Sequence, residues 1–117
     1  MYKGWRLFFG DLHNHCAISY GHGSLAQALE NARTQLDFCS VTGHAAWPDM
    51  PAADTRIGYI VDFHRRGFAR LERNWPEVLA TYRRYDQPDR FVVFPSYEIH
   101  SCQDGDYTIV YRQITGQ

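Results

Sequence analysis

Trp5-Arg-Leu-Phe-Phe-Gly-Asp-Leu-His-Asn-His15 is an apolar run of strand type that ends in two histidines one residue apart. Residues 5 to 9 predict a short buried strand, and Gly10-Asp11-Leu12 carries it to His13 and His15. Side chains two apart on an extended segment point to the same side, so both imidazoles aim at one point just beyond the strand, where one metal ion can bridge them. Imidazole suits zinc, iron or manganese, and an added carboxylate lets such a site hold a harder ion and keep a position open for water.

Outward from this stretch, Ser24 with Gln27 three residues on forms a capping box, and Leu25, Ala28, Leu29, Ala32 and Leu36 recur at helical spacing. Leu36 to Thr42 turns strand-like and ends at Gly43-His44, followed by an irregular, Ala- and Pro-containing stretch to Ala53. Asp54 or Thr55 caps a second helix marked by Ile57, Ile60, Val61, Phe68 and Leu71, and Asn74 with Pro76 begins a third, short one through Tyr85. Phe91 to Phe94 is a continuous apolar run of the kind buried on both faces of a parallel sheet, and it leads through Pro95-Ser96-Tyr97 to Glu98. The link from Ser101 to Asp106 is too short for a parallel crossover, so Tyr107 to Tyr111 returns as a hairpin partner.

The fold class expected is α/β, with three parallel strands, right-handed crossovers and a C-terminal hairpin strand. In this reading His13 and His15 follow strand one, His44 follows strand two and Glu98 follows strand three, all at carboxyl ends, where parallel α/β folds gather their ligand groups. Asp11 is expected to orient the histidine pair, with ligation a lesser possibility. His100, two residues beyond Glu98, falls on the same side of a regular strand and is a further possible ligand; Asp106 is a weaker candidate from the hairpin. His64, on the apolar stripe of the second helix, reads as a core histidine, and Trp47 and Trp75 read as packing.

Twelve basic against thirteen acidic residues give a net charge of -1, and neither sign forms the runs that a nucleic-acid partner calls for. No apolar stretch reaches membrane-spanning length. Cys16, Cys39 and Cys102, odd in number and widely spaced, fit free thiols in a reducing compartment, which predicts a cytoplasmic location.

The Gly10-Asp-Leu-His-Asn-His15, Asp37-Phe-Cys-Ser-Val-Thr-Gly-His44 and Tyr97-Glu98 segments resemble, in order and spacing, the first three motifs of the PHP (polymerase and histidinol phosphatase) superfamily of metal-dependent phosphoesterases, within an uncharacterised branch that opens Gly-Asp-Leu-His-x-His. That resemblance implies the front portion of a distorted seven-stranded (βα)7 barrel, residues 1 to 117 forming a single partial domain, an N-terminal fragment with an exposed sheet edge through which chains self-associate. It implies a cluster of two or three divalent ions (zinc, manganese or iron): His13 and His15 would bind one, Glu98 would bridge it to a second, and His44 with a loop residue, His22, would serve a third. Glu98 and His44 would thus serve catalysis on a small-molecule phosphoester, with a metal-activated water attacking phosphorus. Arg56, Arg65 and Arg66 are cations available to a phosphate, with nothing in the sequence to place them.

Gly43 and Tyr20 stand where that family often carries acidic residues, and each change removes a negative charge from the expected site. They keep alive a non-catalytic metal-binding module with a degenerate site. An amidohydrolase-type metal hydrolase, which also begins with His-x-His after its first strand, is the other alternative; an HNH nuclease is not, because its residues are dispersed through a ββα unit.

Overall fold

The computed structural model describes residues 2–54 and 56–114. It is a mixed α/β fold of six strands and two helices: β1 (Gly10–Asn14), α1 (Leu25–Arg33), β2 (Phe38–Val41), β3 (Gly43–Ala46), α2 (Gly58–Tyr85), β4 (Val92–Val93), β5 (Ser96–Ile99) and β6 (Tyr107–Val110). One sheet runs β1-β2-β4, all parallel; the other runs β3-β5-β6, parallel across its first pair and antiparallel across its second. Neither closes into a barrel among the described residues.

The parallel order and the hairpin agree with the sequence reading, but the second and third strands are each followed at once by a further strand, β3 and β5, where irregular chain was expected. Their chains leave the first sheet at Thr42 and after Phe94 and immediately enter the second. The Val41 carbonyl, left without a ladder partner at the first switch, accepts the Tyr82 hydroxyl at 2.7 Å and the Ser96 hydroxyl at 3.2 Å. Ser40 in turn donates to Ser96, so one buried hydroxyl chain stitches β2 to β5. His44 and Glu98 consequently lie within β3 and β5 rather than beyond the ends of the preceding strands.

Residues 5 to 9 correct the first expectation, because they form no extended strand and are exposed, Trp5 at 75% and Phe9 at 65%. A strand needs a partner along its length, and four-residue β2 reaches back only to Gly10, where the Phe38 pairing begins. Before it, Lys3 and Gly4 at positive φ turn the chain back so that Tyr2 and Trp5 pair with each other.

α1 starts as the capping signature predicts, the Ser24 hydroxyl accepting the Gln27 amide at 3.1 Å, and buries Leu25 and Leu29. Asp54 accepts the amides of Arg56 and Ile57 just before α2, while Thr55, the other cap candidate, lies outside the described residues. The two helices expected between Ile57 and Tyr85 are one helix of 28 residues with Pro76 inside it. A proline in mid-helix costs about 3 kcal/mol, but Phe68, Leu71, Trp75, Val78, Tyr82 and Tyr85 recur every three or four residues straight across it. From Leu71 to Tyr85 this stripe packs on the core, and burying several such side chains at roughly 1.5–3 kcal/mol each outweighs the break. No described helix is long and apolar enough to cross a membrane.

α2 lies on β3 at Gly43, where an added Cβ would sit 2.8 Å from a Leu71 methyl and 3.1 Å from a methyl of Ile18. An aspartate at this position would thrust a carboxylate among these methyls. Gly43→Ala, which asks only for a small shift of flexible side-chain ends, should cost about 1 kcal/mol, and Gly43→Asp about 3 kcal/mol or more. Urea denaturation of both variants checks this; equal losses would show that backbone conformation, not apolar packing, selects glycine.

Candidate metal centre

Three pieces of chain bring the site together, each placed by a local feature. In β1 the register with β2 slips by one residue between Asp11 and Asn14, a bulge that re-aims the residues within it, His13 among them. The Asp11 carboxylate holds this turn by accepting the His13 amide at 2.9 Å and the Asn14 side-chain amide at 3.3 Å. In the second sheet His44, Glu98 and Thr108 occupy one row, Glu98 pairing with His44 on one side and Thr108 on the other. Their side chains therefore rise from the same face, and Thr108 Oγ1 is hydrogen-bonded to His13 Nδ1 at 2.8 Å, which ties β1 to that row.

Glu98 is 5% exposed and stands at the centre. His13 Nε2 is 3.9 Å from its Oε1; His15 Nε2 and His44 Nδ1 are 3.4 and 2.9 Å from its Oε2; and the Nε2 atoms of His13 and His15 face each other at 3.2 Å. The two Nε2 atoms are hydrogen-bonded to each other, but none of the approaches to Glu98 has the direction of a hydrogen bond, and Oε2 is a buried acceptor without a donor. Leaving a buried carboxylate oxygen so costs on the order of 1–3 kcal/mol or more, a strain that a cation would relieve. The spacings also bracket those of shared ligation, since donors about 2.0–2.2 Å from a tetrahedral ion stand about 3.3–3.6 Å apart. His13, His15 and Glu98 form one group whose ligand atoms all lie within 4.8 Å of one another, and His44, Glu98 and His100 form a second. The donor set fits a divalent ion at each.

The second group is buried and its histidines are held by their neighbours. His100 Nδ1 is 3.1 Å from Asp106 Oδ1, so its proton belongs on that nitrogen and Nε2 presents a lone pair. Both the Tyr20 hydroxyl, at 2.8 Å, and His44 Nδ1, at 3.0 Å, reach for that one lone pair. Tyr20 lies flat on His44, ring centroids 3.8 Å apart, and burial, with the Glu98 and Asp106 charges, holds its phenol protonated well above the ordinary range. His44 is pushed down to about 3, first by burial and then by the surrounding histidines. Although 2.9 Å from a carboxylate, it is therefore a neutral imidazole at physiological pH, the form that ligates a metal.

Of the residues singled out in the sequence, His13, His15, His44 and Glu98 converge, and His100 joins them. Asp11 belongs to neither group and acts on the backbone of His13. His22 is exposed on a cleft beside Tyr20, also outside both groups. His64 bonds its own helix through Ile60 and packs its ring against Tyr20, Trp47 and His100. Thr108 and Ser19, whose hydroxyl accepts the His44 amide, carry no signal in isolation. The Asp106 partnership was recoverable from the hairpin, since continuing the β5–β6 register one pair past Ile99 and Tyr107 sets His100 opposite Asp106. No protein-family model, curated protein or solved structure matches this chain.

The depressed His44 value predicts an acid-sensitive metal-free fold. The unfolded chain takes up this proton near pH 6.5 and the folded chain only near 3, so the unfolded state binds more protons between these limits and the His44 contribution is lost as pH falls through that window. In chelator-treated protein, stability should fall more steeply between pH 6.5 and 4 in the parent than in His44→Gln. Parallel curves from denaturant titrations would refute a buried neutral His44.

Proposed function

We propose that the chain carries the metal site of a metal-dependent hydrolase, a phosphoesterase acting on small organic phosphates, built on the opening strands of a distorted (βα)7 barrel of the PHP type. The observation that carries this reading is the buried Glu98 carboxylate, faced by nitrogens of three histidines and left without a hydrogen-bond donor on Oε2. The parallel β1-β2-β4 order and the delivery of the ligands from three strands, β1, β3 and β5, support the fold assignment.

His13, His15 and Glu98 would hold one divalent ion and His44, His100 and Glu98 a second, with Glu98 shared. Bound ions supply positive charge that stabilises the charge building on a phosphoryl group and lower the pKa of water at the site. Three protein donors per ion leave coordination positions open, as in catalytic rather than structural sites. The first group is the accessible one, with the His13 side chain half exposed and that of His15 about one-third exposed, so a substrate reaches Glu98 from this side. Thr108 and Asp106 fix the ring orientations of His13 and His100. Four imidazoles to one carboxylate favour zinc, iron or manganese over magnesium.

A non-catalytic reading draws on one specific observation, the burial of His44, Glu98 and His100 together, since a closed ion is a structural ion. Elemental analysis with an aryl phosphate assay separates the two. The hydrolase reading expects two metal equivalents and turnover in the parent, and in His13→Ala, His15→Ala the loss of one equivalent with a fall in turnover of about a hundredfold or more. Metal without turnover would favour the structural ion, and a metal-free parent would overturn both.

A further inference from the structure

The Tyr20 ring that lies on His44 also abuts the backbone of α2 at Gly67, where a Cβ would meet it at 2.3 Å. Beside this ring opens a cleft of about 540 Å³, lined by Ser19, Tyr20, His22, Phe63, Arg66 and Arg70 with two glycines. No carboxylate lines it. Arg66 and Arg70 stand four apart on α2 and so share one face, and among the described residues neither forms an ion pair. Arg70 spends one donor on the Ser19 carbonyl at 3.0 Å, which fixes its guanidinium at the wall; Arg66 makes no hydrogen bond among the described residues. Two uncompensated guanidinium forks and an imidazole in a concavity match the planar, multidentate demand of an oxyanion. The remaining wall is aromatic: Phe63, 48% exposed, stands 4.8 Å from Tyr20 between ring centroids.

We propose that this cleft is an oxyanion subsite, taking the phosphate or carboxylate of a small molecule whose flat apolar body lies on Phe63 and Tyr20. The subsite stands on its own residues. Joined to the hydrolase reading, on which only this step rests, it makes the substrate an ester with a second oxyanion remote from the bond that is cleaved, and Tyr20 the wall between the two positions.

Calorimetric titration of the full chain with phenylphosphonate, benzoate and inorganic phosphate, as purified and after chelation, tests the subsite. Phenylphosphonate is not hydrolysed and chelation removes metal-held anion, so the outcome is independent of turnover. Binding of phenylphosphonate or benzoate should persist after chelation and exceed that of inorganic phosphate, and the preferred ligand of the pair identifies the oxyanion. Arg66→Gln, whose side chain bonds to nothing else in the described chain, should weaken it about tenfold, Arg66→Lys less, and Arg90→Gln, an exposed arginine away from the cleft, not at all. Loss of binding on chelation, undiminished binding in Arg66→Gln, or an equal loss in Arg90→Gln would overturn the proposal.

Discussion

The architecture depends on what happens to one carbonyl. At Val41 the chain leaves the first sheet, and a buried carbonyl stripped of its ladder partner costs about 1–3 kcal/mol unless a donor replaces it. The hydroxyls of Tyr82 and Ser96 do so, one from α2 and one from β5, which means that the crossing of β2 into β3 is possible only with α2 lying over it and β5 alongside. Tyr82 is among the most completely buried side chains and its phenol is held protonated, chiefly by burial, so this donor is never lost by ionisation. Once the second sheet begins at Gly43, its register follows, and the register is what sets His44, Glu98 and Thr108 in one row.

That row accounts for the electrostatic character of the site. Glu98 is carried into the interior by strand pairing, not by a partner charge, and His44 beside it is held neutral, first by burial and then by the surrounding histidines. A buried carboxylate whose Oε2 meets no donor is poorly stabilised by the protein alone. Thr108 and Asp106 occupy the outer nitrogens of His13 and His100, so the unmet demand is focused on the inward nitrogens and on Oε2. Stability given up in the bare chain is thus positioned where a cation would restore it.

Features governed by local chemistry were legible in the sequence: the Ser24 cap, the hairpin, the parallel order and the convergence of His13, His15, His44 and Glu98. What was not legible depended on partners distant in the chain. Residues 5 to 9 look like a buried strand by composition, yet nothing in them says that β2 is too short to pair with them. Gly43–Ala46 and Ser96–Ile99 read as irregular chain because each follows a break in the apolar run, at Thr42-Gly43 and at Pro95, and only the pairing of one with the other makes them strands. Pro76 carries a strong helix-start signal when read locally, and only the heptad-like continuation from Leu71 to Tyr82 overrides it. His22 sits near the expected loop, but the path of 19–23 turns it to the cleft while Tyr20 takes the place against His44.

The two positions that depart from the resembled family's pattern prove to be one structural decision. α2 approaches the sheet so closely that Leu71 fills the space beside Gly43 and Gly67 receives the Tyr20 ring. At Gly43 a residue longer than alanine, and at Gly67 any side chain set against the Tyr20 ring, would push the helix away, and a helix farther off would withdraw Tyr82 from Val41. An aspartate at position 43 is therefore incompatible with the same packing that makes the sheet crossing possible, and Tyr20, apolar on its face and polar at its tip, covers His44 while still reaching His100. The absence of a carboxylate at positions 20 and 43 follows from close helix docking. It leaves Glu98 as the one carboxylate in both ligand groups, which makes the donor set softer and the character of the site more dependent on imidazole.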